Sequence, residues 1–475
     1  MYRHGAYAEV QKTQEFVPPK GVGTLPVYFG ILPVHQLMDY SGLVNKPILV
    51  QSFNDAVAKV GYNDSNWKEF DLCEAIYAHF KNDIQVIGPI VLVNVLNPDT
   101  MRNVGETDSI ALAGGQGYID NDKVILKSVA VAGKTLGVDF SVEYTPDGSK
   151  VLFKDLKGAL VSPISVTFNE VNPAAVTTTE VKAGIATPLQ LVYPMYKMVP
   201  TILDAPNWSN NFTVDAELKA AAQNINGHFS AFVNSNLSRG STSDTIAKAI
   251  AWKAANGYDG ANESPCWPMA KNGDRLFHLS TLATVTMQMV DFNNDNIPYE
   301  TPSNKPIDIT SLCLEDGTEI IFDQVKANEL NAEGIRTAAY WGGNYVLWGP
   351  HTGAYKYGSD MDPKDKFDCS VRMLQHITNS FQLRYGAEVD KPFNRARVDT
   401  ILNDFQEWLD SLINRGALLA GTTAFNETSN PTSDLVEGDF VFDVATTTTP
   451  PGKSLTAKVQ YTTSGLTTLF GGEQA

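Results

Sequence analysis

Several stretches of this chain carry residue types that could do chemistry. Gly133-Lys134-Thr135 has the closing residues of a phosphate-binding loop. The loop's first glycine would fall at Ser128, and a strand pattern over 138–144 follows where a helix should present its amides. It reads as a hairpin turn. Asp291, Asn293 and Asp295 open like a calcium loop, but the turn glycine is Asn296 and the twelfth position is Pro302. Asp360, Asp362 and Asp365 could gather a cation; a charged loop is the simpler reading. The histidines, at 4, 35, 79, 228, 278, 351 and 376, show no i, i+4 pair of the helical zinc kind. His278 and Ser280 are close in sequence but lack a third member, and there is no Gly-x-Ser-x-Gly elbow. Gly114-Gly115-Gln116-Gly117 does not lie between a strand and a helix, so it is no dinucleotide loop. The aromatic run Tyr340, Trp341, Tyr345 and Trp348 around Gly342-Gly343 could offer a carbohydrate or base platform, although core packing around a tight glycine turn is favoured. No catalytic residue, metal site or cofactor is expected.

Composition narrows the remaining classes. A net charge of −17 argues against nucleic acid and against an anionic membrane surface as partner. Cys73, Cys266, Cys313 and Cys369 are widely spaced without a Cys-x-x-Cys pair, which points to a reducing compartment at synthesis. No apolar run approaches the length needed to cross a bilayer, so no membrane insertion is expected.

The elements that would position any site form an α/β pattern. Buried strands are expected over 27–31, 47–50 and 86–95, with helices over 52–60 and from Asp71. Between 97 and about 182 the pattern becomes all-β: Val138, Phe140, Val142 and Tyr144 alternate, Thr145 to Ser149 is turn chemistry, and Val151 and Phe153 resume. This reads as an insertion, because α/β alternation returns afterwards. Strands are then expected over 199–203, 229–233 and 266–269, and helices over 214–224, 244–255 and 280–291. A further helix within 360–390 has Val371, Leu374, Ile377 and Phe381 as its core face.

The last eighty residues organise the chain. Val398, Ile401, Leu402, Phe405, Leu409, Leu412 and Ile413 form one helical stripe, capped by Asn394 and ended by Gly416. A strand-like run over 439–444, a Thr-rich connector over 446–449 and Pro450-Pro451 follow. Beyond the prolines Leu455, Ala457, Val459 and Tyr461 alternate with polar residues. This end either docks on its own sheet or adds a strand to a neighbouring copy. Residues 1–20 also look extended, with Tyr7 and Val10 as apolar anchors.

The order of short motifs resembles the contractile tail sheath proteins of bacteriophages, tailocins and injection systems. His4-Gly5-Ala6-Tyr7, Pro26-Val27-Tyr28-Phe29-Gly30, Asn45-Lys46-Pro47 and Ala75 to Phe80 carry it at the start. Val199 to Pro206, Ile250-Ala251-Trp252, Cys266-Trp267-Pro268 and Pro302-Ser303-Asn304-Lys305 carry it in the middle. The helix from Arg397, Asn414 to Ala417, Leu435 to Gly438, Pro450-Pro451 and the final strand carry it at the end.

The resemblance implies a multidomain α/β chain. It would have an N-terminal arm (1–20), a central subtilisin-like α/β domain (21–96 and 185–358), an inserted β-sandwich domain (97–184), a C-terminal α+β domain (359–445), and a linker with a donated strand (446–475). It implies no enzymatic activity. Copies would stack as hexameric rings around a tail tube protein, with baseplate and tail terminator proteins as further partners. Contraction would drive the tube through a target envelope. Tyr7, Val10, Leu455, Ala457, Val459 and Tyr461 would mediate strand exchange between subunits. Arg395, Arg397 and Arg415 would face the tube, against the plainer reading of solvated charges. The protein would assemble in the host bacterial cytoplasm and reside in the virion tail. The competing classes are a hydrolase on the α/β domain and a static virion shell component.

Overall fold

A computed structural model describes residues 23–238 and 240–470. β1 (Pro26–Gly30), β2 (Pro47–Val50), α1 (Phe53–Val60), α2 (Leu72–Phe80) and β3 (Ile90–Asn94) come first. Every residue of β1 and β3 is buried, which is why both read as continuous apolar runs rather than alternating ones. Ser52 caps α1 by accepting from the Asp55 amide at 3.2 Å.

The all-β stretch follows as β4 (Arg102–Ile110), β5 (Gln116–Ile119), β6 (Phe140–Tyr144), β7 (Val151–Asp155) and β8 (Ile164–Val171). β4 pairs with β8, and β7 lies between β5 and β6. The inward residues of both sheets share one core, in which Phe140 stacks on Phe153 at 4.9 Å. The expected turn is present at Thr145–Ser149: Gly148, at φ +73, turns the chain close against the Tyr62 carbonyl.

α3 (Thr178–Ala186), α4 (Pro188–Tyr196), β9 (Ile202–Asp204), α5 (Phe212–Ala222), β10 (Phe232–Asn236), α6 (Ile246–Asn256) and β11 (Glu263–Cys266) return the chain to the first layer. They complete a six-stranded sheet of order β11-β10-β9-β1-β3-β2. Only β2 runs antiparallel to its neighbour. The strand expected over 266–269 is instead two, β11 and β12 (Met269–Asn272), because Pro268 between them has no amide to offer a ladder. β13 (Arg275–His278) leads into α7 (Leu279–Asn293), whose residues Leu279 to Asp291 are all buried. β14 (Ser311–Cys313), α8 (Gln324–Ala332), β15 (Thr337–Trp341) and β16 (Asn344–Trp348) follow. The aromatic run is the β15–β16 hairpin, turned by Gly342 and Gly343 at φ +63 and +96.

The last elements are α9 (Asp368–Tyr385), α10 (Arg395–Asn414), β17 (Leu418–Ala424), α11 (Thr432–Glu437) and β18 (Asp443–Thr448). Two buried ion pairs fasten α9 to the central body, Asp368 to Arg336 beside β15 and Arg372 to Asp291 in α7. On α9, Met373 is buried in the place expected for Leu374, which is half-exposed.

β18 starts four residues later than the run expected at 439 and takes in three of the threonines read as a connector. Two contacts explain the shift. The Asn430 side chain holds both backbone groups of Val441, at 2.7 and 2.9 Å. Phe440 and Phe442 pack with Phe425, Phe393 and Phe381 instead of entering a ladder. The branched threonines suit a strand well.

Candidate functional site: a two-stranded sheet and a trailing chain end

α10 is the platform. Its cap is as expected: the Asn394 side chain accepts from the Arg397 amide at 3.0 Å, and Gly416 at φ +77 turns the chain into β17. Val398, Ile401, Phe405, Leu409 and Leu412 are buried, whereas Leu402 and Ile413 are half-buried. Phe405, Leu409 and Leu412 share a core with Met373 and Ile377 of α9 and Leu418 of β17. Full burial of such side chains contributes about 1.5–3 kcal/mol each.

β17 and β18 pair antiparallel from Ala420↔Thr447 to Ala424↔Asp443, with an irregularity beside Leu418. They form a sheet of two strands and no more among the described residues. Such a ribbon is marginal alone and exposes unpaired edges. Gln406 of α10 reaches β17: its Nε2 donates to Gly421 O at 3.0 Å and its Oε1 accepts from Thr423 N at 2.9 Å. Nothing in the sequence marked Gln406, because its partners lie fifteen and seventeen residues away on another element.

The chain leaves β18 through Thr449, whose hydroxyl donates to Gly416 O at 2.7 Å, and through Pro450-Pro451. A cavity of about 820 Å³ separates this linker from the body, with His351 and Tyr355 on its floor. The alternating segment beyond it joins no ladder among the described residues. Leu455, Val459 and Tyr461 are 91%, 93% and 81% exposed, and Ala457 is exposed with them. Among the described residues the strand expected there therefore has no ladder partner, and it does not dock on its own sheet. Tyr7 and Val10 lie outside the described residues.

Each of the three arginines at the ends of α10 already has a partner. Arg395 pairs with Asp399 one turn on at 2.8 Å, Arg397 with Glu388, and Arg415 with Asp295. Pairs this close to solvent, with Arg397–Glu388 the most covered of the three, are worth about 0–1 kcal/mol.

The residues weighed for catalysis or metal do not converge. Ser280 is fully buried, with its hydroxyl donating to Asp204 at 2.9 Å and accepting from Asn236 at 2.6 Å. Burial pushes the Asp204 carboxyl well above the usual range. His278 faces Glu74, Nδ1 to Oε2 at 2.5 Å, rather than serving as base to Ser280. A nucleophile so enclosed has no path to a substrate carbonyl. Of the acidic clusters, Asp291 is buried against Arg372 and Thr24, and Asp362 holds Lys364 at 2.6 Å. Among the described residues no cluster of three His, Cys, Asp or Glu is placed to hold a metal, and no helix is long and apolar enough to cross a membrane. All four cysteines are buried and free.

The chain is of the mixed α/β class, with several sheets and a small open ribbon among the described residues, and comparison with known proteins narrows the class. No family model matches the chain. It is 24% identical over 460 residues to the tail sheath protein of Burkholderia phage BcepMu, covering 91% of this chain and 92% of that one. A chain in the anti-feeding prophage baseplate shares its fold with a TM-score of 0.60 at 13% identity, covering 96% of this chain and 98% of that one. The contracted sheath complex of the extracellular injection system PVC gives 0.58 at 12%, covering 98% and 99%. The sheath tail protein of Desulfitobacterium hafniense gives 0.52 at 11%, covering 88% and 93%. The chain is thus a homologue of a phage tail sheath protein and has the fold of contractile-system sheaths, as its motifs indicated.

Proposed function

We propose that this chain is the repeating subunit of a contractile tail sheath, stacking as hexameric rings around a tail tube and shortening to drive the tube through a target envelope. One observation carries the reading: an alternating, exposed segment without a partner trails from a two-stranded sheet whose edge lacks one. Leu455, Ala457, Val459 and Tyr461 present the apolar face of a strand to be donated to a neighbouring copy. Each backbone hydrogen bond gained contributes about 0.5–1.5 kcal/mol net, and a ladder of several survives rotation in the linker. Tyr7 and Val10 are assigned the same role in the N-terminal arm.

The reading assigns 21–96 and 185–358 to the central, subtilisin-like domain, 97–184 to a β-sandwich insertion, 359–445 to the C-terminal domain and 446–475 to the linker and donated strand. The homologues are structural sheath proteins, so the chain acts by assembly rather than by turnover. Its further partners are the tail tube, baseplate and tail terminator proteins, with Arg395, Arg397 and Arg415 on the tube side. Assembly takes place in the host bacterial cytoplasm, and the product resides in the virion tail.

Deleting residues 452–475 tests the reading. The truncated chain should keep the circular dichroism of the intact protein and form no tubes by electron microscopy. Tubes of normal length from the truncated chain would refute strand donation.

A further inference from the structure

The two edges of the β17–β18 ribbon are not equivalent. The Thr423 amide donates to Gln406 Oε1, so it is not spent on β18. Successive residues of a strand turn their backbone groups to opposite edges. Gly421 and Thr423 therefore face outward, and Ala420, Thr422 and Ala424 face β18. Their opposites Thr447, Ala445 and Asp443 face β17, which leaves the backbone groups of Val444 and Thr446 on β18's outer edge. No side chain among the described residues hydrogen-bonds those groups.

The Gln406 carboxamide donates to residue 421 and accepts from residue 423, at 3.0 and 2.9 Å. One residue of an incoming parallel strand would make the same two bonds with its own N–H and C=O. Gln406 is held in place by its own contacts: Nε2 also donates to Asp410 Oδ1 at 2.8 Å, and Oε1 also accepts from Thr423 Oγ1 at 3.4 Å. It projects from a helix anchored by Phe405 and Leu409. Glutamine is suited to the task. Glutamate would set a carboxylate oxygen against the Gly421 carbonyl, and alanine would leave both backbone groups unpaired.

We infer that Gln406 stands in for a guest strand on β17 and gives the ribbon an order of filling. In the free chain β17 is closed and β18 is open. The segment around Leu455–Tyr461 of a second copy adds to β18, pairing with Val444 and Thr446. A second guest reaches β17 only after Gln406 swings out. The occupant follows from what the chain offers: an alternating segment, exposed and without hydrogen bonds to its own body among the described residues, of the same length class as β18. The inference rests on the strand-donation reading and adds to it which edge is used and which residue closes the other.

Site-resolved amide exchange on the full-length protein, free and assembled, tests it in wild type, Gln406→Ala and Gln406→Glu. In the free wild-type chain Thr423 should exchange at least about tenfold more slowly than Val444 and Thr446. Assembly should slow Val444 and Thr446 by a similar factor. Gln406→Ala should release Thr423 in the free chain and lower the concentration at which tubes form. Gln406→Glu keeps an acceptor for Thr423 but opposes the Gly421 carbonyl and Asp410, so it should release Thr423 less than Gln406→Ala does; unchanged circular dichroism of both variants is the control for folding. The inference is overturned if Val444 and Thr446 stay unprotected in assembled tubes, or if Gln406→Ala leaves both Thr423 exchange and the assembly threshold unchanged. That second outcome, combined with loss of assembly on deleting 452–475, removes the order of filling alone and leaves strand donation standing. Normal assembly of the deletion removes donation itself.

Discussion

His35 shows how a single side chain ties two parts of the body together. It lies between β1 and β2, fully buried, with Nε2 at 2.8 Å from the Asp122 carbonyl and its ring 5.1 Å from Phe70 and 5.7 Å from Tyr144. Burial holds its pKa down to about 4, with Asp122 opposing and Lys123 assisting. In the unfolded chain the imidazole takes a proton near its ordinary value; in the folded chain it does not until about 4. The stability it confers is therefore present above about pH 6.5 and is lost as pH falls towards 4, by up to about 3 kcal/mol. Asp71 has the opposite sign: burial raises it to about 7, so its contribution fades as pH rises through that value. Comparing variants isolates one group. His35→Gln should flatten the acid limb of a melting-temperature profile between pH 7 and 4 relative to wild type; an unchanged limb would show that His35 does not titrate with folding. The sequence offered His35 only as one histidine among scattered others. Its partner is 87 residues away, and no spacing rule reaches across an inserted module.

α10 is the element that reads most clearly from sequence, since a stripe at period 3.6, an Asn cap and a closing glycine all agree. β18 reads less clearly, because aromatic packing of Phe440 and Phe442 outweighed their strand propensity and moved the ladder into the threonines. The segment at 455–461 has a strand's pattern without a strand's partner, and only the fold reveals that. The ends of α10 carry the proposed tube contacts. Arg395 and Arg415 are held by exposed acids and Arg397 by the half-buried Glu388, and each could exchange its partner for another at small cost. Reversing all three charges should cost the monomer no more than about 3 kcal/mol, roughly 1 for each pair, while weakening assembly on purified tubes. Assembly on tubes at the wild-type level would retire these residues as contacts.

At the scale of the whole molecule, α9 joins the C-terminal elements to the body. Arg336–Asp368 and Arg372–Asp291 are buried ion pairs, and breaking such a pair from one side costs about 3–5 kcal/mol. They bind the β17–β18 ribbon's support to α7 and to the residue before β15, so in the proposed sheath role the linker after Thr449, rather than the body, would be the part to turn. The Pro450-Pro451 step lines a cavity and lies outside the packed core. The central claim is that the end of one copy lies along β18 of another. Cysteine cross-linking tests it directly, because the native cysteines are all buried and will not compete. Thr446→Cys would be combined in turn with Ala457→Cys, Val459→Cys and Tyr461→Cys, and the assembled protein oxidised. At least one pairing should give a ladder of covalent dimers, trimers and longer chains on a denaturing gel. Covalent monomers closed upon themselves, or no cross-link from any pairing, would contradict it.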